Sequence, residues 1–225
     1  MRAKLLTEFV GTFIFLSTIA LSGAAGPLAP LVIGLALTAL VSMGGHVSGA
    51  HYNPAVSFGL FLRKIIGLPT MLAYWITQLV AGSLAFVLAF LIGAHISGIH
   101  PGAGVHWQSA VAAEVVFTTG LVLVVLNVAA TRETAGNSYY GLAIGFTVAA
   151  GAFVVGPISG AAFNPAVGFS ATLESVLFSN GTWSDLWIYV VGPLAGATIA
   201  ALVHRLQANR ERVLPEVSER SQTGR

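Results

Sequence analysis

The sequence predicts an all-α membrane protein of six transmembrane helices and two re-entrant half-helices, arranged as an inverted repeat. Three observations predict it: an apolar composition, an Asn-Pro-Ala tripeptide in both halves, and Lys and Arg confined to alternate loops. Hydrophobic residues make up 56% of the 225 residues and charged residues only 8%, whereas a soluble domain carries about 25% charged residues. This composition, with a mean hydropathy of +0.84, places the chain in a bilayer.

Six apolar stretches come close to the roughly 20 residues that cross a bilayer. They are residues 5–22, 28–46, 69–92, 109–129, 139–156 and 184–206. Two shorter apolar segments, about 53–62 and 164–174, each begin at an Asn-Pro-Ala and are too short to cross. Irregular backbone at membrane depth is tolerated only where it is buried in protein or lines a cavity. These segments therefore predict re-entrant half-helices beside a pore or a binding cavity.

One membrane domain is expected over residues 1–206, with a first repeat of about 1–95 and a second of about 107–206. Residues 207–225 are polar and charged, which predicts a disordered cytoplasmic tail. No small-residue cleavage site closes the first apolar stretch, so we interpret it as a mature helix rather than a signal peptide.

The basic residues predict the orientation in the membrane. With both termini inside, all ten fall on the cytoplasmic side: Arg2, Lys4, Arg63, Lys64, Arg132, Arg205, Arg210, Arg212, Arg220 and Arg225. The opposite loops, about 23–28, 93–108 and 175–184, contain none. This positive-inside pattern predicts a multi-pass protein of the cell membrane with both termini cytoplasmic. Three crossings per half then require that the halves are inverted and that their half-helices enter from opposite faces.

The two tripeptides, Asn53-Pro54-Ala55 and Asn164-Pro165-Ala166, lie in the same Ser-Gly-x-x-x frame. Proline suits the first turn of a helix and asparagine is a favoured N-cap, so each motif is predicted to start a half-helix near the midplane. The two N-termini, each worth roughly half a positive charge, would face each other across a lumen and oppose cations. If capping uses the asparagine oxygen, the NH₂ donors are predicted to point into the pore. Ordinary turn punctuation is the alternative, which the duplication disfavours.

The chain resembles the aquaporin family, also called the major intrinsic proteins, up to about residue 206. The resemblance rests on the duplicated frame, on Glu8 and Glu114 early in the first span of each half, on Gln78, and on the Gly-Pro-Leu-Ala-Gly run at 192–196. It implies a right-handed bundle of six tilted helices plus two half-helices, a pore in each subunit, and a homotetramer. It also implies water, small neutral solutes and the lipid bilayer as partners.

Glu8 and Glu114 would be carboxylates inside the membrane, where an ionisable group is expensive and needs partners. The resemblance implies that both accept backbone N–H groups of the re-entrant loops and brace them. The alternative is a proton relay. The sequence disfavours a relay because no second titratable group inside the membrane is evident beside them.

The selectivity filter departs from the family pattern. An arginine usually follows the second Asn-Pro-Ala, and here Val167 stands there. Alignment to the motifs puts Ile33, Ala152 and Ala161 at the other filter positions. A typical water channel resembles Phe, His, a small residue and Arg at these positions, and a typical glycerol facilitator two aromatics, Gly and Arg. The predicted constriction is therefore wide, apolar and uncharged.

The histidines offer weaker signals. His46 resembles a family position near the inner mouth and is a candidate for lining or gating the pore. His95, His100 and His106 cluster in an outer loop, where they would gate with pH, bind a metal, or simply belong to a polar loop. His204 ends the last span and is predicted to be interfacial.

The function predicted is a passive channel for water and/or small neutral solutes such as glycerol, urea, metalloid hydroxides or ammonia. A secondary transporter is the first alternative, but charged ligands at the midplane are not evident. A structural membrane protein with an occluded pore is the second. No nucleophile–base set, metal-ligand spacing or cysteine is present, so no enzyme, metal site or cofactor is expected. The net charge of only +2 is explained by topology, and no nucleic acid partner is expected.

Overall fold

The computed structural model describes residues 1–94 and 98–207, and within them all the long elements are α-helices. They are α1 (Arg2–Leu21), α2 (Ala29–Ser48), α3 (Pro54–Leu62), α4 (Leu68–Leu91), α5 (Trp107–Ala129), α6 (Tyr140–Ser159), α7 (Pro165–Phe178) and α8 (Leu186–Gln207). Helices α1 and α2 form one apolar stretch of 47 residues that is broken at Gly26, whose φ is 53°. Together with α4, α5, α6 and α8 they have the length and hydropathy of membrane-spanning helices.

The six long helices begin and end within about a turn of the predicted spans. The second half-helix is the exception, because α7 has 14 residues and continues to Phe178 instead of ending near residue 174. Glu174 is buried, and the helix continues past it. His95 and residues 208–225, which include nearly all of the predicted tail, lie outside the described residues.

The helices form two matching sets that pack into each other. Within the sets α1 packs on α4 and α5 on α8, while α2 packs on α6 across the boundary between them. Each half-helix packs against the last helix of the other set, α3 against α8 and α7 against α4. This exchange brings the N-termini of α3 and α7 together in the middle of the bundle.

Glycines allow the closest helix contacts. A Cβ added at Gly145 of α6 would collide with the carbonyl oxygen of Gly34 in α2. One added at Gly196 of α8 would lie 2.6 Å from the carbonyl oxygen of Val115 in α5. Small residues at such crossings let two backbones approach, as expected for packing inside a membrane. These crossings hold α2, α5, α6 and α8 around the centre of the bundle.

Candidate functional site

Each half-helix starts at an asparagine that caps it with its own side chain. Asn53 Oδ1 accepts the Ala55 N–H at 2.8 Å, and Asn164 Oδ1 accepts the Ala166 N–H at 2.9 Å. Both asparagines have extended backbone, and proline follows each at the first helical position. This is the arrangement that favours helix initiation, since the side-chain oxygen satisfies a backbone donor that the helix leaves unpaired.

The two caps are also joined to each other. Asn53 Nδ2 donates to the carbonyl oxygen of Phe163, and Asn164 Nδ2 donates to that of Tyr52, both at 2.9 Å. One proton of each amide is therefore used by the opposite loop. One N–H per asparagine remains, and the cross-bond fixes its direction. Both side chains line a central cavity.

The first re-entrant loop is held by Glu8 of α1. Glu8 Oε1 accepts from Ser48 Oγ at 2.7 Å and from the His51 N–H at 2.9 Å. Its Oε2 accepts from the Tyr52 N–H at 2.9 Å and from Gln78 Nε2 at 2.8 Å. All four partners are donors, so the buried group acts as a carboxylate with each oxygen satisfied twice.

The second loop repeats this arrangement around Glu114 of α5. Oε1 accepts from Ser159 Oγ at 2.8 Å and from the Ala162 N–H at 3.0 Å, and Oε2 accepts from the Phe163 N–H at 2.7 Å. Both glutamates are fully buried. Each one therefore ties a helix end and two loop amides to the first helix of its own repeat.

The loops need this support because their backbone is strained. Ala50, Tyr52, Ala161 and Phe163 all have positive φ, at 50°, 48°, 54° and 49°. A non-glycine residue in the left-handed region costs of order 1–3 kcal/mol and persists only where its surroundings over-determine it. Loop geometry at the centre of the bundle thus depends on the carboxylates and the capping asparagines together.

Sequence reasoning missed two tyrosines that complete the loop supports. Tyr74 of α4 donates its hydroxyl to the carbonyl oxygen of Ser48 at 2.8 Å, and Tyr189 of α8 donates to that of Ser159 at 2.6 Å. Both rings are buried. A tyrosine within the apolar third span of each half was the available signal, since a tyrosine hydroxyl in an apolar setting needs a partner.

The four predicted filter residues, Ile33, Ala152, Ala161 and Val167, line one cavity of about 230 Å³. The same cavity reaches both asparagines, and its lining among the described residues contains no Asp, Glu, Lys or Arg. Ile99, from the outer loop between α4 and α5, also lines it, which the sequence did not indicate. We call this space the outer cavity. Its wall beside the filter positions is aliphatic.

A second space, the inner cavity, has a volume of about 460 Å³ and lies on the other side of the asparagines. Lys4, His46 and the link between α5 and α6 at residues 134–137 line it. His46 is exposed in its wall, whereas His100 and His106 are exposed elsewhere and line neither cavity.

Two titratable side chains differ from expectation. His204 is fully buried in the protein, where its Nδ1 accepts from Arg63 Nε at 2.9 Å and its Nε2 lies 3.0 Å from Thr131 Oγ1. Its two ring nitrogens thus join α8 to the end of α3 and to the α5–α6 link. Glu174 of α7 is also fully buried. It is a further buried carboxylate that the sequence did not single out.

A bundle in which two half-helices meet at capped asparagines, with a cavity on either side, defines a membrane channel. Residues 1–204 match the family described as Major intrinsic protein, and the chain belongs to that family. It is similar to Aquaporin TIP1-2 of Zea mays, with 38% identity over 214 residues that cover 88% of this chain and 82% of the relative. Probable aquaporin TIP-type alpha of Phaseolus vulgaris is also 38% identical, over 221 residues that cover 91% and 84%.

A solved structure has the same fold. The aquaglyceroporin from Plasmodium falciparum superposes with a TM-score of 0.79 at 20% identity, covering 90% of this chain and 95% of that one. The predicted fold of spanning helices and half-helices is thus confirmed. As a member of its family the chain is a multi-pass membrane protein and a passive channel for water and small solutes, not an enzyme.

Proposed function

We propose that this channel admits neutral solutes larger than water, through a wide apolar filter formed by Ile33, Ala152, Ala161 and Val167. One observation carries the proposal: the outer cavity runs past all four side chains to both asparagines, and its wall at these positions is aliphatic. Val167 supplies neither the bulk nor the charge of the arginine that usually follows the motif. Glycerol, urea, metalloid hydroxides and ammonia are the solutes that such a filter suits.

Exclusion of cations then depends on the centre of the pore. The N-termini of α3 and α7 meet there, each contributing roughly half a positive charge. Asn53 and Asn164 each keep one N–H that is not used by the opposite loop. A passing water or hydroxyl accepts hydrogen bonds from these N–H groups in one orientation. This orientation opposes a continuous chain of hydrogen bonds along which protons could move.

The proposal is tested by stopped-flow light scattering on proteoliposomes under gradients of water, glycerol and urea. We expect glycerol and urea to pass, with a flux that rises linearly with the gradient, because a pore does not saturate as a carrier does. Water permeation without uptake of any neutral solute would overturn the wide filter. A plateau at modest concentration would favour a secondary transporter, and no flux from folded protein would favour an occluded structural role.

We further propose that both termini face the cytoplasm, that the membrane is the cell membrane, and that four copies assemble. The orientation is supported by Lys4, which lines the same inner cavity as the α5–α6 link, and by Arg63, which contacts His204 at the end of α8. These basic residues therefore lie at one end of the bundle, as the positive-inside rule requires. Labelling of single cysteines from either side, and chemical cross-linking of purified protein, test orientation and assembly.

A further inference from the structure

We propose that the size limit of this pore is set by an inner ring of four side chains, and not by the outer filter. The inner ring consists of Val41, His51, Val125 and Ile144. This inference rests on the proposed function, because it names the residues of the same pore that select among neutral solutes.

The lumen is divided into the outer and the inner cavity. The outer cavity passes all four filter positions and both asparagines as one continuous space. The outer and inner cavities share five lining residues, which are the four members of the inner ring and Gly49. These residues therefore lie where the two cavities meet. We infer that the lumen narrows where the two cavities meet, one step inward from the outer filter.

The internal repeat relates the inner ring to residues of the outer cavity. Helices α2 and α6 each end at a Ser-Gly that leads into an Asn-Pro-Ala, and α1 and α5 each carry a bracing glutamate. Alignment on these landmarks gives each ring residue a mate in the other repeat. The pairs are Val41 with Ala152, His51 with Ala162, Ile144 with Ile33, and Val125 with Ile19.

All four mates line the outer cavity, and Ile33 and Ala152 are predicted filter residues. The inner ring therefore shares two of its four positions, those of Val41 and Ile144, with the outer filter across the inverted repeat. In the inner ring Val41 and His51 stand where the mates are alanines. Val125 is smaller than its mate Ile19 by only one methylene. The inner ring therefore carries more side-chain volume than its mates, which favours a narrower passage there.

The His51 side chain of the inner ring is held by two contacts and is its polar member. His51 Nδ1 lies 2.9 Å from Ser57 Oγ, and its ring packs edge-on against Tyr74 with centroids 5.0 Å apart. Its Nε2 lies beside Gly49, where an added Cβ would be 3.0 Å away. Water can bond this nitrogen in passing, but a larger solute must fit between it and three aliphatic side chains.

The test compares Val41→Ala, which gives the inner ring the residue of its mate, with the matched outer variant Ile33→Ala. Permeabilities for water, glycerol and urea are measured side by side in proteoliposomes. We expect Val41→Ala to raise glycerol permeability about tenfold, the lower end of what a methylene or two is worth in a selective site. Ile33→Ala should change it little. A rise in the outer variant alone, or in neither, would overturn the inference.

A second measurement uses the absence of cysteine from the chain. A thiol reagent on Val41→Cys should block glycerol flow fully, whereas the same adduct on Ile33→Cys should leave residual flow. Equal block in both variants would count against the ring.

Failure of the proposed solute function can be told apart from failure of the inner ring as the size limit. If wild type passes only water, the proposed solute function fails, yet glycerol entry through Val41→Ala would still support the ring, and no entry would overturn it.

Discussion

Replacement of Glu8 with leucine is expected to leave only a small fraction of the protein folded. The substitution leaves the backbone N–H groups of His51 and Tyr52 buried without a partner, since both donate to Glu8 alone. An unsatisfied buried donor costs about 1–3 kcal/mol, and the loop it leaves behind is already strained. The side chains of Ser48 and Gln78 lose the same acceptor. The sum is a large part of a typical stability of about 5–15 kcal/mol.

The measurement is the monodisperse fraction on size exclusion in detergent, together with thermal unfolding. Glu8→Gln should rank between wild type and Glu8→Leu, because it keeps one acceptor oxygen and turns the other into a donor that faces donors. Leu6→Ala, at an exposed position on the same helix, is the control and should change little. If Glu8→Leu unfolds at the wild-type temperature, the carboxylate does not hold the loop.

Much of this architecture could be predicted because the membrane restricts what a chain can do. Spans of about 20 apolar residues can only be helices, and shorter ones that start at Asn-Pro can only be re-entrant. The duplicated frame placed both half-helices, and Glu8 and Glu114 stood out because a charge there needs partners. The end of α7 was misplaced because the sequence does not show that Glu174 is buried and that the helix continues to Phe178.

What the sequence did not reveal are contacts that depend on how helices from different repeats meet. The cross-bonds from Asn53 to Phe163 and from Asn164 to Tyr52 join residues far apart in the chain. His204 could not be placed without knowing that Arg63 ends α3 beside it. The proposed narrowing at Val41 likewise depends on which side chains of α2, α5 and α6 line the lumen together. Local pattern predicts each element but not these pairings.

Val167→Arg is expected to close the channel to glycerol and leave it open to water. Val167 lines the outer cavity opposite small or aliphatic side chains, so an arginine would extend into the lumen at the predicted filter. Its guanidinium adds both volume and a fixed positive charge. We expect glycerol permeability to fall at least about tenfold, as for a change of more than one methylene in a selective site. Water should keep most of its rate.

Val167→Met is the matched control, because it adds volume at the same position without charge. Equal loss of glycerol flow in both variants would show that bulk alone acts at this position. Proton leak, followed with a trapped pH-sensitive dye, should fall further in Val167→Arg than in Val167→Met. An unchanged leak would mean that the half-helix ends and the asparagines already exclude protons without help from the filter.

Combining Val167→Arg with Val41→Ala decides which constriction limits the flow. Two narrow points in series behave as resistances, so the tighter one governs the total. In the wild-type background Val41→Ala should raise glycerol permeability, because the inner ring is the tighter point there. In the Val167→Arg background it should have little effect, since the outer filter has become limiting. If the gain from Val41→Ala were the same in both backgrounds, the inner ring would still be the tighter point in the Val167→Arg variant, and the outer filter would not have become limiting.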